Sequence, residues 1–218
     1  MPRLLFEKTG NAVWISHLDL MRLFQRSFKR AGLPLKHSQG YSPRPYVSVI
    51  LPLSVGVESV CELLDFDLEG EAVPGIQIKK RLNEALTDGI RVLDVYDEGT
   101  KIKHLALLDC EVILEYDQGV PAGAADAITE LFRRESLTVE KKGKNGPTQQ
   151  DIIPMIRRLT ITAGESEITL RVLVCCQNPA LNPMQLAAAV YKYLPDLAPD
   201  HARSRRIEIY DANENVFR

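Results

Sequence analysis

SHLDLMRLFQRSFKR, residues 16–30, is the stretch from which the fold of this chain can be worked out. Ser16 is a good N-cap, and Asp19 three residues later completes a start that resembles a capping box. Gly32 and Pro34 end the predicted helix. Its two faces differ in character, with apolar residues at Leu20, Leu23, Phe24 and Phe28 and basic residues opposite them at Arg22, Arg26, Lys29 and Arg30.

The segments around this helix predict a β-α-β-β-α-β order for the first half of the chain. Residues 4–8 and 12–15 precede the helix and are predicted to be extended. The pattern after the helix predicts strands at 46–53, 61–68 and 90–96, with a second helix at 76–86.

The same order recurs in the second half. A strand at 105–116 is followed by a helix at 121–134, which opens with a proline. A short strand at 137–141 leads into a polar stretch, Lys141–Gln150, which predicts an exposed loop. The rest is a hairpin (159–161 and 168–175), a helix (183–194) and a last strand (206–210).

We therefore expect an α+β protein with two tandem ferredoxin-like (βαββαβ) units and antiparallel sheets. The predicted units are residues 1–98, which carry the candidate site, and residues 104–218. The alternative is one larger α+β domain.

Charge is spread unevenly along a chain whose formal net charge is −2. Residues 1–50 carry eight Lys/Arg against two acids, whereas residues 51–100 carry four against eleven. A basic start on an acidic protein indicates a local anionic partner such as RNA or a phosphorylated ligand. The alternative is a solvated helix face that pairs with the acidic segment.

The candidate site consists of the helix start and the segment His37–Pro45. His17 lies in the first turn and is the candidate catalytic residue, as a general base; it is otherwise a structural residue. Arg44 stands between two prolines, which stiffen the backbone. Arginine, an aromatic ring and free amides together suit a phosphate or a splayed nucleotide, although an ordinary Ω-loop could have the same composition. The candidate ligand-binding residues here are His37, Ser38, Gly40, Tyr41 and Arg44.

Basic residues elsewhere extend this hypothesis. A basic stripe along the helix consists of Arg22, Arg26, Lys29 and Arg30, and a second cluster before the last strand consists of Arg203, Arg205 and Arg206. We expect the helix start and the proline-flanked turn to meet and make one positively charged pocket.

Several classes of function find no support in the sequence. It has no Walker loop, dinucleotide fingerprint, nucleophile elbow or zinc signature, so no metal site and no cofactor are assigned to this chain. No apolar run is long enough for a membrane span, and a cytoplasmic protein is expected.

Four segments resemble the bacterial radical-SAM-linked domain of unknown function: residues 15–22, 30–34, 38–45 and 53–59. Members of that family are encoded beside a radical SAM enzyme or fused to it. The resemblance implies a radical SAM partner that would hold the iron–sulfur cluster and S-adenosylmethionine. By association of gene neighbourhoods it also implies RNA or a ribosome-related particle as ligand.

Three functions remain open at this stage. The first is an accessory protein, not catalytic on its own, that binds RNA or a ribonucleoprotein and presents it to the radical SAM partner. The second is an RNA-processing or RNA-modifying enzyme with His17 as general base. The third is a structural subunit whose loop docks on the radical SAM protein.

Overall fold

The computed structural model describes residues 1–143, 146–177 and 179–218. The chain is a mixed α+β protein with a mostly antiparallel sheet and divides into two compact units. Unit 1 comprises Met1–His104 together with Phe217–Arg218, and unit 2 comprises Leu105–Val216. The last two residues, which the sequence analysis assigned to the second unit, therefore belong to the first.

Unit 1 follows the predicted order of elements. In chain order they are β1 (Arg3–Lys8), α1 (His17–Arg30), β2 (Val47–Val49), β3 (Glu58–Phe66), α2 (Gly75–Asn83) and β4 (Ile90–Tyr96). The strands pair antiparallel in the order β4-β1-β3, and β2 pairs with β3.

The core of unit 1 lies where α1 and α2 cover the sheet. Phe24 of α1 contacts Phe6 of β1 edge to face, with ring centroids 4.8 Å apart, and Phe28 lies 5.1 Å from Phe66 of β3. All four rings are fully buried. The apolar side of residues 16–30 thus packs on the sheet, as predicted, and the basic side of α1 lies in solvent.

Unit 2 has the same element order with an insertion. Its elements are β5 (Leu105–Glu115), α3 (Ala124–Phe132), β6 (Thr138–Gly143), β7 (Gly146–Asp151), β8 (Ile156–Ala163), β9 (Glu167–Cys175), α4 (Met184–Tyr193) and β10 (His201–Asp211). The strand order is β10-β5-β9-β8, all antiparallel. Among the residues that the structure describes, β6 and β7 pair with each other and with no other strand.

Two local predictions are corrected. Residues 12–14 are not extended, because Gly10–Trp14 forms a 3-10 turn, and only Ile15 of the segment 12–15 has an extended backbone. The polar stretch Lys141–Gln150 is not an irregular loop in its described part, since its two sides pair as β6 and β7 from Lys141–Thr148 to Glu140–Gln149. Residues 144 and 145 of that predicted loop lie outside the described residues.

Candidate nucleic-acid interface

The start of α1 forms the cap that the sequence predicts. The Ser16 hydroxyl accepts a hydrogen bond from the Asp19 amide at 3.2 Å and lies 2.7 Å from the Asp19 carboxylate. Arg22 donates to the same carboxylate at 2.9 Å. Hydrogen bonds from Ser16 and Arg22 lower the pKa of Asp19, because both stabilise the charged form. Asp19 therefore serves the helix start and neutralises part of the Arg22 charge.

Three arginines lie on the solvent side of α1, one turn apart, and we call Arg22, Arg26 and Arg30 the arginine face. They line a shallow depression of about 610 Å³ together with Ile15 and Thr87. All three side chains are exposed. Spacing of four residues places successive guanidinium groups on one side of a helix, so their charges add in one place.

The three arginines are held to different degrees. Arg30 donates to the Ala85 carbonyl and, at 3.3 Å, to the Ser27 hydroxyl, which anchors it. Arg22 is paired with Asp19. Arg26 has no hydrogen bond or ion pair within the described residues, so its charge is the most available to an anion. Lys29, predicted to belong to the same basic side, instead lines a different groove.

The segment after α1 is a closed, protruding loop. The Ser38 amide donates to the Arg44 carbonyl at 2.8 Å, and the Arg44 amide donates back to the Ser38 hydroxyl at 3.0 Å. His37 forms a bridge with Pro45 below them. Because Ser38 is used to close the loop, its hydroxyl is a positioning group for Arg44.

The tip of this loop is entirely in solvent. Gly40 has a φ of +126°, which favours glycine, and the following Tyr41 is fully exposed. Arg44 is exposed as well, as is His37. The loop therefore presents a ring and a cation on a short, hydrogen-bonded base.

The structure separates the helix start from this loop. His37 and Pro45 line a groove of about 560 Å³ with Gln25 and Lys29, in the second half of α1. His17 is the first residue of α1, and at about 1.5 Å per residue it lies about 18 Å from Lys29 along the helix axis. The expected single pocket made by His17 and the loop is therefore not formed by the described residues.

The reason for this separation is the direction of the chain. The loop leads into β2, whose first residue Val47 pairs with Phe66 at the far end of β3. His17 follows the opposite end of the sheet, where Lys8 pairs with Ser59. The helix spans the distance between the two ends.

His17 is half-buried, and its Nδ1 atom is buried without a hydrogen-bond partner among the described residues. A general base is normally oriented by a partner on its second ring nitrogen. His17 thus lacks the support that a catalytic histidine usually has.

The second basic cluster is not a free cationic surface. Arg203 donates to Glu115 at 2.8 Å and lies 3.8 Å from Glu167, so two carboxylates offset its charge. Arg206 is buried, with 6% of its surface exposed. Neighbouring positions on a strand alternate between faces, and Arg206 lies on the buried one. The prediction that Arg206 binds a ligand at the surface is therefore wrong.

Trp14 is a candidate that the sequence analysis left out of its site. Its side chain is 69% exposed, and the residue ends the 3-10 turn Gly10–Trp14. The carbonyls on both sides of it, those of Val13 and Ile15, accept hydrogen bonds from Lys8 Nζ at 3.1 and 2.8 Å. The only signal in the sequence is that the chain holds a single tryptophan, just before a helix cap.

Lys8 is 1% exposed, and burial lowers its pKa because the charged form is desolvated. The Glu62 carboxylate opposes this shift. A buried ammonium that binds two carbonyls of one turn makes that turn rigid, so Lys8 positions Trp14.

Within the described residues, no three His, Cys, Asp or Glu side chains are grouped so as to hold a metal ion. Among the same residues, no helix has the length and apolar character needed to cross a membrane.

The fold is similar to that of one chain in a solved structure. A chain in the crystal structure of a Cbf5–Nop10–Gar1 complex matches with a TM-score of 0.51 and 10% identity, over 95% of this chain and 48% of that chain. This chain thus spans about half the length of that relative. A protein from Galdieria sulphuraria, described as unknown, matches with a TM-score of 0.27 and 10% identity, over 94% of this chain and 96% of that one.

No curated protein matches this sequence. A family model does match it, over residues 2–183, which is most of the chain. The chain therefore belongs to the family described as an uncharacterized protein conserved in bacteria, DUF2344.

Proposed function

We propose that this protein is a binding module without chemistry of its own, which holds RNA or a ribonucleoprotein on the arginine face and presents it to a radical SAM enzyme. The observation that carries the proposal is the alignment of Arg22, Arg26 and Arg30 along one depression of α1. Guanidinium groups bind phosphate through several donors at once, and their attraction for a polyanion adds up along a row.

The charge of the arginine face is available for this purpose. Asp19 pairs with Arg22 and attracts Arg26 without a direct ion pair, so one carboxylate faces three guanidinium groups. The other residues of the depression, Ile15, Leu23 and Thr87, are uncharged. A groove with a local excess of cations attracts a polyanion even though the whole chain is slightly acidic.

Filter binding of RNA across a salt series tests the proposal. Three phosphate contacts on a single strand predict a slope of about −2 for log K against log salt. Arg26→Ala should reduce that slope by about 0.7 and weaken binding more than Arg22→Ala does, because Asp19 already offsets Arg22. Arg91→Ala, which removes an exposed arginine of β4, is the matched control and should leave binding unchanged. Binding that does not depend on salt, or that is the same for Arg26→Ala, would contradict the proposal.

The geometry gives less support to an RNA-processing enzyme that uses His17 as general base. Such an enzyme would need Arg44 or another cation near His17 to stabilise developing charge. Arg44 belongs to the loop beside the second half of α1, whereas His17 lies at the start of the helix.

The radical SAM partner is part of the proposal. The resemblance of the four N-terminal segments supports it, and the iron–sulfur cluster and S-adenosylmethionine would be held by that partner. The protruding loop with Tyr41 at its tip is the surface we assign to it, because a rigid loop can dock with little loss of entropy.

Co-purification from the native cell tests whether the loop with Tyr41 contacts the radical SAM protein. Tyr41→Ala and Arg44→Ala should each reduce recovery of the radical SAM protein and leave RNA binding by the arginine face unchanged. Recovery equal to that of the parent protein for both variants would rule out the loop as the docking surface.

We also propose that each unit is ferredoxin-like. The strand orders β4-β1-β3-β2 and β10-β5-β9-β8, with a helix after the first and third strand of each sheet, support this.

A further inference from the structure

We infer that Trp14 is a stacking platform for an unpaired base, and that the ligand of the arginine face is single-stranded RNA. This inference rests on the proposed function and makes it more specific. It assigns a role to an exposed side chain that the arginine face alone does not explain.

The indole is exposed but rigidly supported. Its ring lies against Gly56, so close that a Cβ built there would be 3.3 Å from the ring. The Gly56 amide donates to the Val13 carbonyl at 2.9 Å, and Lys8 binds the same carbonyl from inside the unit. A ring held in this way keeps one face in solvent and loses little freedom when a ligand stacks on it.

The support includes a buried charge, and the buried Glu62 carboxylate offsets part of the cost of burying it. Lys8 is nearly fully buried, and burying an ammonium is unfavourable unless its hydrogen bonds are replaced. Here those bonds go to the carbonyls of Val13 and Ile15, on either side of an exposed tryptophan. The structure thus uses a buried charge to hold a side chain that contributes little to the core.

Exposed apolar side chains lie near Trp14 in the chain and next to Gly56. Leu18 in the first turn of α1 is 65% exposed, and Val55 beside Gly56 is 53% exposed. Ile15, the next residue after Trp14, lines the same depression as Arg22 and Arg26. Trp14 is therefore one residue along the chain from the lining of the arginine face, and its ring packs on Gly56.

This combination of charge and ring selects the kind of RNA. A row of guanidinium groups binds the phosphates, and an adjacent aromatic face accepts a base, as in proteins that bind single strands. Bases inside a duplex are already stacked on their neighbours and cannot offer a face to Trp14. The attraction between arginines and phosphates alone would not distinguish single-stranded from double-stranded RNA.

Trp14 is the single tryptophan of the chain, so its fluorescence reports stacking directly. The full-length protein is titrated with short oligouridylate and, separately, with an RNA duplex of the same length. We expect the single strand to quench the emission in parallel with binding measured by the anisotropy of labelled RNA. The duplex should bind through the arginine face without quenching.

Variants separate stacking from general apolar contact. Trp14→Ala should weaken single-strand binding by about 5- to 150-fold, the range that one stacked base contributes, and leave duplex binding unchanged. Trp14→Phe should restore part of the loss because it keeps an aromatic face. Leu18→Ala, which shortens an exposed apolar neighbour, is the matched control and should change affinity by less than about twofold. Circular dichroism checks that each variant is folded.

The two levels of the proposal can fail separately. Salt-dependent RNA binding with no quenching, and with equal affinity for Trp14→Ala, would overturn the stacking role and leave the proposed function standing. Absence of RNA binding by the parent protein would overturn both. Equal losses for Leu18→Ala and Trp14→Ala would indicate a general apolar contact and would also contradict the stacking role.

Discussion

Arg3 holds Asp65 with two parallel hydrogen bonds, from Nε to Oδ1 at 2.6 Å and from Nη2 to Oδ2 at 3.0 Å. The third nitrogen of Arg3 donates to the Thr100 carbonyl at 2.9 Å, and the guanidinium lies 5.3 Å from the centre of the Phe217 ring. Arg3 is only 2% exposed. One buried arginine thus ties the first strand of unit 1 to β3, to the segment after β4 and to the end of the chain.

This cluster predicts a large loss of stability when one partner is removed. Arg3→Ala should lower the free energy of unfolding by about 3–5 kcal/mol, because it leaves the Asp65 carboxylate without its counter-charge. Arg3→Lys should recover only part of the lost free energy of unfolding, since an ammonium cannot form the two parallel hydrogen bonds. Urea unfolding measures both. The control is Glu130→Gln, which breaks an ion pair exposed on both sides and should change stability by less than about 1 kcal/mol. Equal effects at the two sites would contradict this account.

The cap of α1 predicts a pH dependence. The folded protein has a lower pKa for Asp19 than the ordinary value of 3.8, so the carboxylate contributes stability above that value. The contribution is lost as the pH falls through the lowered pKa, because the protonated carboxyl has no charge and accepts weaker hydrogen bonds from Ser16 and Arg22. Asp19→Asn should therefore reduce the loss of stability between neutral and acid pH in thermal unfolding. Ser16→Ala should act in the same direction, and an unchanged acid profile in both variants would refute the assignment.

The buried Lys8 predicts a linked change in stability and in the tryptophan signal. Lys8→Met keeps the bulk of the side chain but removes the donor to the Val13 and Ile15 carbonyls and the positive charge that acts on buried Glu62. It should cost about 3–5 kcal/mol. The turn around Trp14 should also loosen, and this is measured as a lower fluorescence anisotropy of the folded protein. Destabilisation without any change in the motion of the indole would show that Lys8 does not position Trp14.

Gly56 and Gly70 have similar backbone conformations, but their alanine variants should differ in the emission of Trp14. Its φ is +84°, and that of Gly70 is +91°. Alanine at either position should cost about 1–2 kcal/mol because a Cβ is unfavourable in that region. A Cβ at Gly56 also meets the Trp14 ring, whereas nothing lies within 4 Å at Gly70. Gly56→Ala alone should therefore shift the Trp14 emission, and a similar shift for Gly70→Ala would exclude the packing of the ring on Gly56 as its cause.

Most features of helix α1 could be predicted from the local sequence. Ser16 and Asp19 predicted its start, and the structure places its first residue at His17. The apolar spacing predicted the face that meets the sheet, and Leu20, Phe24 and Phe28 are buried there. Leu23, expected on the same face, is only half-buried and lines the depression of the arginine face. These properties depend on neighbours within about one turn, and for that reason a single sequence reveals most of them.

The 3-10 turn before α1 and the hairpin of β6 and β7 could not be predicted from the local sequence. Residues 12–15 have the composition of a strand, but Lys8 and Gly56 bind the Val13 carbonyl and stabilise a turn. The polar residues of β6 and β7 lack the alternation of a half-buried strand, because this small sheet pairs only with itself and is largely exposed around Lys141 and Gln149. Distant partners decide both conformations.

Short-range patterns were thus sufficient for the element order, the α+β class, the capped basic helix and the exposed loop with Tyr41. Three-dimensional packing alone decided that His17 and Arg44 lie at different ends of α1, that Arg206 is buried and that Trp14 stands exposed on a rigid support. The physical reason is that helix caps and periodicity involve residues a few positions apart. The direction of each strand in its sheet, and the carbonyls that a buried lysine can reach, depend on residues brought together only when the chain folds.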